Sequence, residues 1–194
     1  MNADRVRRLL GFLALVALAA VAMGCGPRWA VLQQAVPNPL LDQRQFFIEA
    51  VHAENIAVGD KAEAAYLVEK TPEQQASWHT DKVDMITHYA EGVIAEGEGL
   101  QFPTQPGPAT FIVRAIVEFV EPGFYAYVAS HPTELGMRVE ILAPTGQVLD
   151  VISIHSVISA DMTNAASGTR MRQAANDAGH VTAEYLQTRV FPGR

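Results

Sequence analysis

The side chains able to do chemistry are few in this chain and are spaced unfavourably for it. Six histidines stand at positions 52, 79, 88, 131, 155 and 180. None falls in an HExxH pattern, and no two are one helical turn apart, the spacing that brings two imidazoles to one metal ion. Cys25 is the sole cysteine, so the chain can form neither an intramolecular disulfide nor a cysteine-pair zinc site. His79 with Asp81 and Asp84 makes a weak metal-type grouping, better read as the solvated face of a helix. Glu118 and Glu121 are the nearest approach to paired carboxylates, and read more simply as charges at a sheet edge. There is no GxSxG, no phosphate-binding glycine loop and no calcium loop. The sequence therefore assigns no catalytic residue, no metal and no cofactor.

Cys25 remains, in the stretch AMGCGPRW. Arg5, Arg7 and Arg8 form a cationic start, and Leu9 to Met23 is apolar and uncharged, the layout of a secretory signal peptide over residues 1–24. At about 15 residues this run is short of the roughly 20 that a membrane-spanning helix needs. The run Val21, Ala22, Met23, Gly24, Cys25 resembles the lipobox of bacterial lipoproteins, with Ala22 in place of the usual leucine and Met23 in place of a smaller residue. That resemblance implies that Cys25 becomes the lipid-carrying first residue and that the bilayer is a partner. Several acyl chains hold a membrane stably where one does not. Gly26 is not the aspartate that marks inner-membrane retention in enteric bacteria, so the resemblance favours the outer membrane, facing the periplasm. A cleaved signal peptide with an incidental thiol is the alternative.

The composition suits one folded domain behind that leader. The 194 residues are 49% hydrophobic and 18% charged, and 21 acidic against 14 basic residues leave a net charge of -7. Basic residues are gathered on no face, which excludes nucleic acid as a partner because phosphate neutralisation needs concentrated Lys and Arg. Pro27, Pro37 and Pro39 make residues 25–44 a lipidated N-terminus and linker, leaving 45–191 as the domain.

Within the domain, hydropathic periodicity assigns the elements. QFFIEAVHA, 45–53, is a strand apolar on both faces. Residues 60–70 are helix-forming, and TPEQ at 71–74 carries a stronger start signal: Thr71 as cap, Pro72 in the first turn, Gln74 closing a capping box. Val83, Ile86, Ala90, Val93 and Gly97 then give a helical stripe expected to face the core. Proline-rich 101–109 is a crossover. In 110–123, Phe111, Val113, Ala115, Val117 and Phe119 alternate onto one face, and a short aromatic run, 124–129, follows. Residues 136–159 form a hairpin turning at Ala143-Pro144-Thr145-Gly146. The chain ends in a helix with Met171, Ala174, Ala178, Val181 and Tyr185 on its buried face, and Gly179 costs it about 1 kcal/mol relative to alanine. The order predicts an α+β fold: a mostly antiparallel sheet with two helices packed on one face.

The strand MRVEIL, the returning GQVLDVISI and the terminal alanine-rich helix resemble uncharacterised bacterial lipoprotein domains related to the curli-secretion lipoprotein and the TolB N-terminal domain. Two readings of function follow. In the favoured one, the protein is a non-enzymatic envelope lipoprotein that docks onto another envelope protein through a sheet edge or through the aromatic stretch FYAYV, with Tyr125 and Tyr127 as contact residues. In the alternative, it is a ligand-binding or hydrolytic lipoprotein whose site is assembled from separate segments such as His131, His155 and Glu140, which requires His155 and a carboxylate within about 3 Å in a cleft. Self-association into a ring is what the curli-secretion resemblance implies.

Overall fold

The computed structural model describes residues 27–193, so Cys25 and the leader lie outside the described residues. The chain runs β1 (Trp29–Gln33), β2 (Phe46–Ile48), β3 (Ala57–Val58), β4 (Lys61–Ala62), α1 (Glu63–Val68), α2 (Pro72–Glu96), β5 (Phe111–Glu121), β6 (Phe124–Ala126), β7 (Ala129–His131), β8 (Thr133–Leu142), β9 (Val148–Ile158) and α3 (Ser167–Val190). Seven strands form one sheet in the order β1-β9-β8-β5-β3-β4, with β2 also paired to β5; β6 and β7 make a separate hairpin. The central pairs are antiparallel, whereas β2 and β3 run parallel to β5. This is the α+β architecture that the periodicity predicts.

The strands alternate as their sequences dictate, with one correction. On β5, Val113, Ala115 and Val117 are buried, but the register shifts between Val117 and Phe119, so the next buried residue is Val120. The expected inward place of Phe119 is lost to this bulge, since one extra residue reverses the pleat. The β8–β9 hairpin turns where expected: Gly146 donates its N–H to Ala143 O at 2.8 Å and has a φ of 86°, which glycine adopts without strain.

The helices differ in how well their faces can be read. Thr71 and Gln74 form the capping box at the start of α2, with Pro72 in its first turn. Its buried face, however, is Trp78, Met85, Tyr89, Gly92 and Val93, while Val83 is 61% exposed. The predicted stripe merged two apolar faces: the aromatic and Met-bearing one is buried, while on the other Ile86 is only partly buried against the core and Val83 lies outside it. On α3 the expected residues Met171, Ala174, Ala178, Val181 and Tyr185 are all buried. The two helices cross at Gly92 and Gly179, where a side-chain methyl on Gly179 would overlap Tyr89 O and lie 2.8 Å from Val93 N. Gly179 is thus the residue that lets the helices approach, which offsets its cost in helix propensity.

The domain also begins earlier than its proline content suggests. Trp29–Gln33, expected to lie in the linker, pairs with β9 at the edge of the sheet, and Leu40 is fully buried. A buried carboxylate holds this segment down. Asp150, on an inward position of β9, accepts hydrogen bonds from Ala35 N–H (2.9 Å), Tyr185 Oη (2.7 Å) and Arg189 Nε (2.8 Å). Arg189 also donates to Ala35 O at 3.0 Å, and Asn38 donates to Arg189 O at 2.7 Å. Desolvation beside the Asp150 carboxylate raises the Tyr185 phenol, which therefore stays protonated and donates.

Two expectations follow. Gly179→Ala should lower stability by about 2 kcal/mol in urea unfolding, because the methyl meets backbone rather than a movable side chain; a gain in stability, as helix propensity alone dictates, would contradict the crossing. The second concerns Glu63. Burial pushes its carboxyl up, but hydrogen bonds from Lys82 Nζ (2.7 Å) and Trp78 Nε1 (2.8 Å) outweigh this and bring it below the ordinary value. A depressed carboxyl adds stability above its unfolded pKa of about 4.3 and loses it as pH falls through the folded value. Urea unfolding should therefore show wild type losing more stability than Glu63→Gln between pH 7 and the acid side of that window.

Candidate functional site

The residues proposed for an assembled active site do not converge. Glu140 is buried on the other face of the sheet from the helices, hydrogen-bonded by Arg138 Nη1 at 2.7 Å and approached by Arg114 Nη1 at 3.6 Å. Arg114 donates to Glu49 at 2.6 Å and Arg138 to Glu118 at 2.9 Å, so this face carries a run of alternating ion pairs. His155 lies opposite Gly136, whereas Glu140 lies opposite Val151, four residues along β9 and about 13 Å away at a strand's rise. His155 does find a carboxylate, Glu134, at 3.0 Å, but on the open sheet face with more than half of the imidazole exposed, not in a cleft. His131 sits on β7 with Nδ1 3.0 Å from Pro132 O. Glu121 accepts the Gly123 N–H at 2.9 Å and does not pair with Glu118. Asp81 and Asp84 face Arg172 at 3.7 and 3.2 Å. Among the described residues no group of three His, Cys, Asp or Glu side chains could hold a metal ion.

Two apolar surfaces stand out instead. The first is the β6–β7 hairpin. Ala126 pairs with Ala129, so Tyr127 and Val128 are its two-residue tip, 89% and 92% exposed; Phe124, opposite His131, is 53% exposed. Tyr125 is half-buried beside Ser130 and does not share the tip with Tyr127. The second surface is a groove of about 350 Å³ between the sheet edge at Phe47–Val51, the outer stripe Ile86, Ala90 and Ile94 of α2, and Phe102–Thr104. Ile94 is 56% exposed, and Val83 continues the same stripe by helical spacing.

The hairpin is anchored by a residue that sequence reasoning missed. Arg170, in the first turn of α3, is fully buried without a carboxylate at ion-pair distance among the described residues. Its Nε donates to Thr133 Oγ1 (2.9 Å), Nη1 to Asn164 O (2.9 Å) and Ala165 O (2.6 Å), and Nη2 to Pro122 O (3.2 Å). Thr133 also donates to Pro122 O at 2.6 Å. Pro122 and Thr133 flank the hairpin, so one guanidinium ties both of its legs to the start of α3. Burial lowers this guanidinium below its ordinary value, with Asp161 opposing. A lone arginine beside Met171 gives no periodic signal. Asp150, a carboxylate at an inward position of an apolar strand, could have been found from its place in the pleat.

No protein-family model matches the sequence, and no curated protein does. Among solved structures, the fold is distantly similar to the PelC dodecamer from Paraburkholderia phytofirmans (12% identity over 79% of this chain and 96% of that one, TM-score 0.40). It is similar at the same distance to hypothetical protein CT253 from Chlamydia trachomatis (9% identity, 74% and 97% covered, TM-score 0.43). A minor lipoprotein from Acinetobacter baumannii gives 11% identity, 75% and 92% covered, and a TM-score of 0.39. Among the described residues no helix is long and apolar enough to cross a membrane.

Arg170→Met should cost about 3 kcal/mol in chemical denaturation, since it removes the donor from Thr133 Oγ1 and from the part-buried Asn164 and Ala165 carbonyls, at a penalty of roughly 1–3 kcal/mol for each group kept from water. Amide exchange should accelerate across 122–133, and Arg170→Lys should not restore protection, because an ammonium cannot reproduce the guanidinium fork.

Proposed function

We propose that the protein is a non-enzymatic bacterial envelope lipoprotein, anchored through Cys25 to the outer membrane on its periplasmic side, that docks onto another envelope protein. The observation that carries the docking half is the second apolar stripe of α2. A helix packed on one neighbour needs one such stripe. Here Met85, Tyr89 and Val93 fill the core, while Ile86, Ala90 and Ile94 line the groove beside the sheet edge. Edge and groove together suit an extended or helical apolar segment from a partner, with backbone pairing along the edge and side chains set between Phe102 and Ile94. The anchoring half rests on the lipobox resemblance around Cys25. β1 begins at Trp29, four residues later, so a lipid on Cys25 would hold the domain close to the bilayer.

A photoreactive residue at Ile94 tests the docking half in membranes of cells producing the protein. Irradiation should give an adduct with one other envelope protein, absent when the photoreactive residue stands at Gln147 in the β8–β9 turn. Ala90→Glu should abolish that adduct while leaving the circular dichroism spectrum unchanged. Irradiation products at the mass of the protein alone would overturn the docking reading. The intact mass of the membrane-extracted protein, compared with Cys25→Ser, tests the anchor: a lipid-sized increment starting at residue 25 is expected only in wild type.

A further inference from the structure

We infer that the β6–β7 hairpin is a second membrane contact, its tip entering the headgroup layer of the bilayer that holds the Cys25 lipid; this rests on the anchor reading above. Direction of the chain is the first argument. β1 runs antiparallel to β9, with Trp29 opposite Ile154, so the chain enters the sheet from the end at which β9 finishes. That same end carries the hairpin, because Thr133, which opens β8 two residues after β7, lies opposite Ile158. Cys25 precedes Trp29 by four residues, a reach of at most about 14 Å. A lipid at Cys25 would therefore be tethered within reach of the end that carries the hairpin base.

The chemistry of that end is the second argument. From Pro122 to Thr133 there is no Asp, Glu, Lys or Arg, in a chain whose net charge is -7. Phe124, Tyr127 and Val128 are exposed there, and Met162, in the loop joining β9 to α3, is 73% exposed at the same end. Tyrosine rings are favoured where an apolar body meets a wet boundary, and the phenol of Tyr127 can keep its hydrogen bond to headgroups or water while Phe124 adds apolar surface. A two-stranded ribbon has open backbone edges, which confines it to the interface and keeps it out of the hydrocarbon. The Arg170 clamp on Pro122 and Thr133 makes the hairpin a rigid prong, so little ordering entropy opposes contact. With no Lys or Arg in the prong, the contact does not depend on anionic lipid or on low salt.

The test places a benzophenone amino acid at Tyr127 in the full-length chain and irradiates it in the membranes of producing cells. The expected product carries the mass of a phospholipid at residue 127, at least tenfold above the yield from the same residue at Gln147, at the opposite end of the sheet. The yield should be unchanged in half-molar salt. Adducts with a second protein, or lipid adducts no more frequent than at Gln147, would overturn the inference. The mass of the N-terminal peptide, read from the same sample, separates the two ideas. A lipid on Cys25 without lipid adducts at 127 removes the hairpin contact and keeps the anchor. Lipid adducts at 127 with an unmodified Cys25 support the hairpin contact and remove the anchor.

Discussion

The crossing of α2 and α3 at Gly92 and Gly179 is the constraint from which the rest of the molecule is built. Backbone meets backbone there, with Gly92 Cα 3.0 Å from where a Gly179 side chain would begin. Helices normally stand 8–10 Å apart, and small residues at the contact bring them to the near end of that range. The closeness lets Tyr89 lie fully buried against α3, its hydroxyl 3.0 Å from Thr182 Oγ1. A wider crossing would open the core around Met85, Tyr89 and Val93 to water and leave those two hydroxyls to satisfy themselves elsewhere.

With its middle fixed, α3 is held at each end by a buried polar group, and the two groups solve different problems. Asp150 near the C-terminal end is a full charge in the interior, tolerable because Arg189, Tyr185 and the Ala35 N–H all converge on it. Such a pair adds little net stability over apolar packing, but it admits only one arrangement of the partners. It therefore specifies where residues 34–38 lie, a stretch with too few apolar side chains to place itself. Arg170 at the N-terminal end has neutral oxygens for partners, and it is the loop carbonyls of Asn164 and Ala165 that gain most, since Pro122 O keeps the Thr133 hydroxyl as a second donor.

Local signals were legible in the sequence wherever one physical rule acted alone. The Thr71-Pro72-Gln74 start of α2, the Gly146 turn and the alanine-rich face of α3 each depend on neighbours within a few residues, and each is found where its pattern predicts. Competition between rules defeated the reading elsewhere. On α2 two apolar stripes of similar quality share the helix, and only tertiary packing decides that Trp78 and Tyr89 go inward while Val83 does not. On β5 the bulge before Phe119 has no marker of its own and shows itself only in the register with β8. In residues 25–44, prolines read as tether conceal a short edge strand, because Pro37 and Pro39 are compatible with an extended chain laid on a surface as well as with one in solvent. The candidate surfaces were half legible: FYAYV was visible as an aromatic run, but its shape as a prong, and the Arg170 that steadies it, depend on residues 37 to 48 positions apart.

The two apolar surfaces sit near opposite ends of β5, and this separation bears on how one small domain could serve two neighbours. β2, which borders the groove, pairs with the beginning of β5 from Phe111 to Val113, while the hairpin follows the end of β5 at Glu121. Eight or more residues of strand separate them, roughly 30 Å. The ion pairs of Arg114, Glu140, Arg138 and Glu118 line the sheet face between those ends, alternating in sign, so neither surface lies in a field of one strong charge. A contact at one end then leaves the other free, and the rigidity supplied by the helix crossing carries an orientation set at the hairpin through to the groove. Net acidity reinforces the arrangement: the acidic body is repelled from anionic surfaces, and the uncharged hairpin end is where that repulsion is weakest.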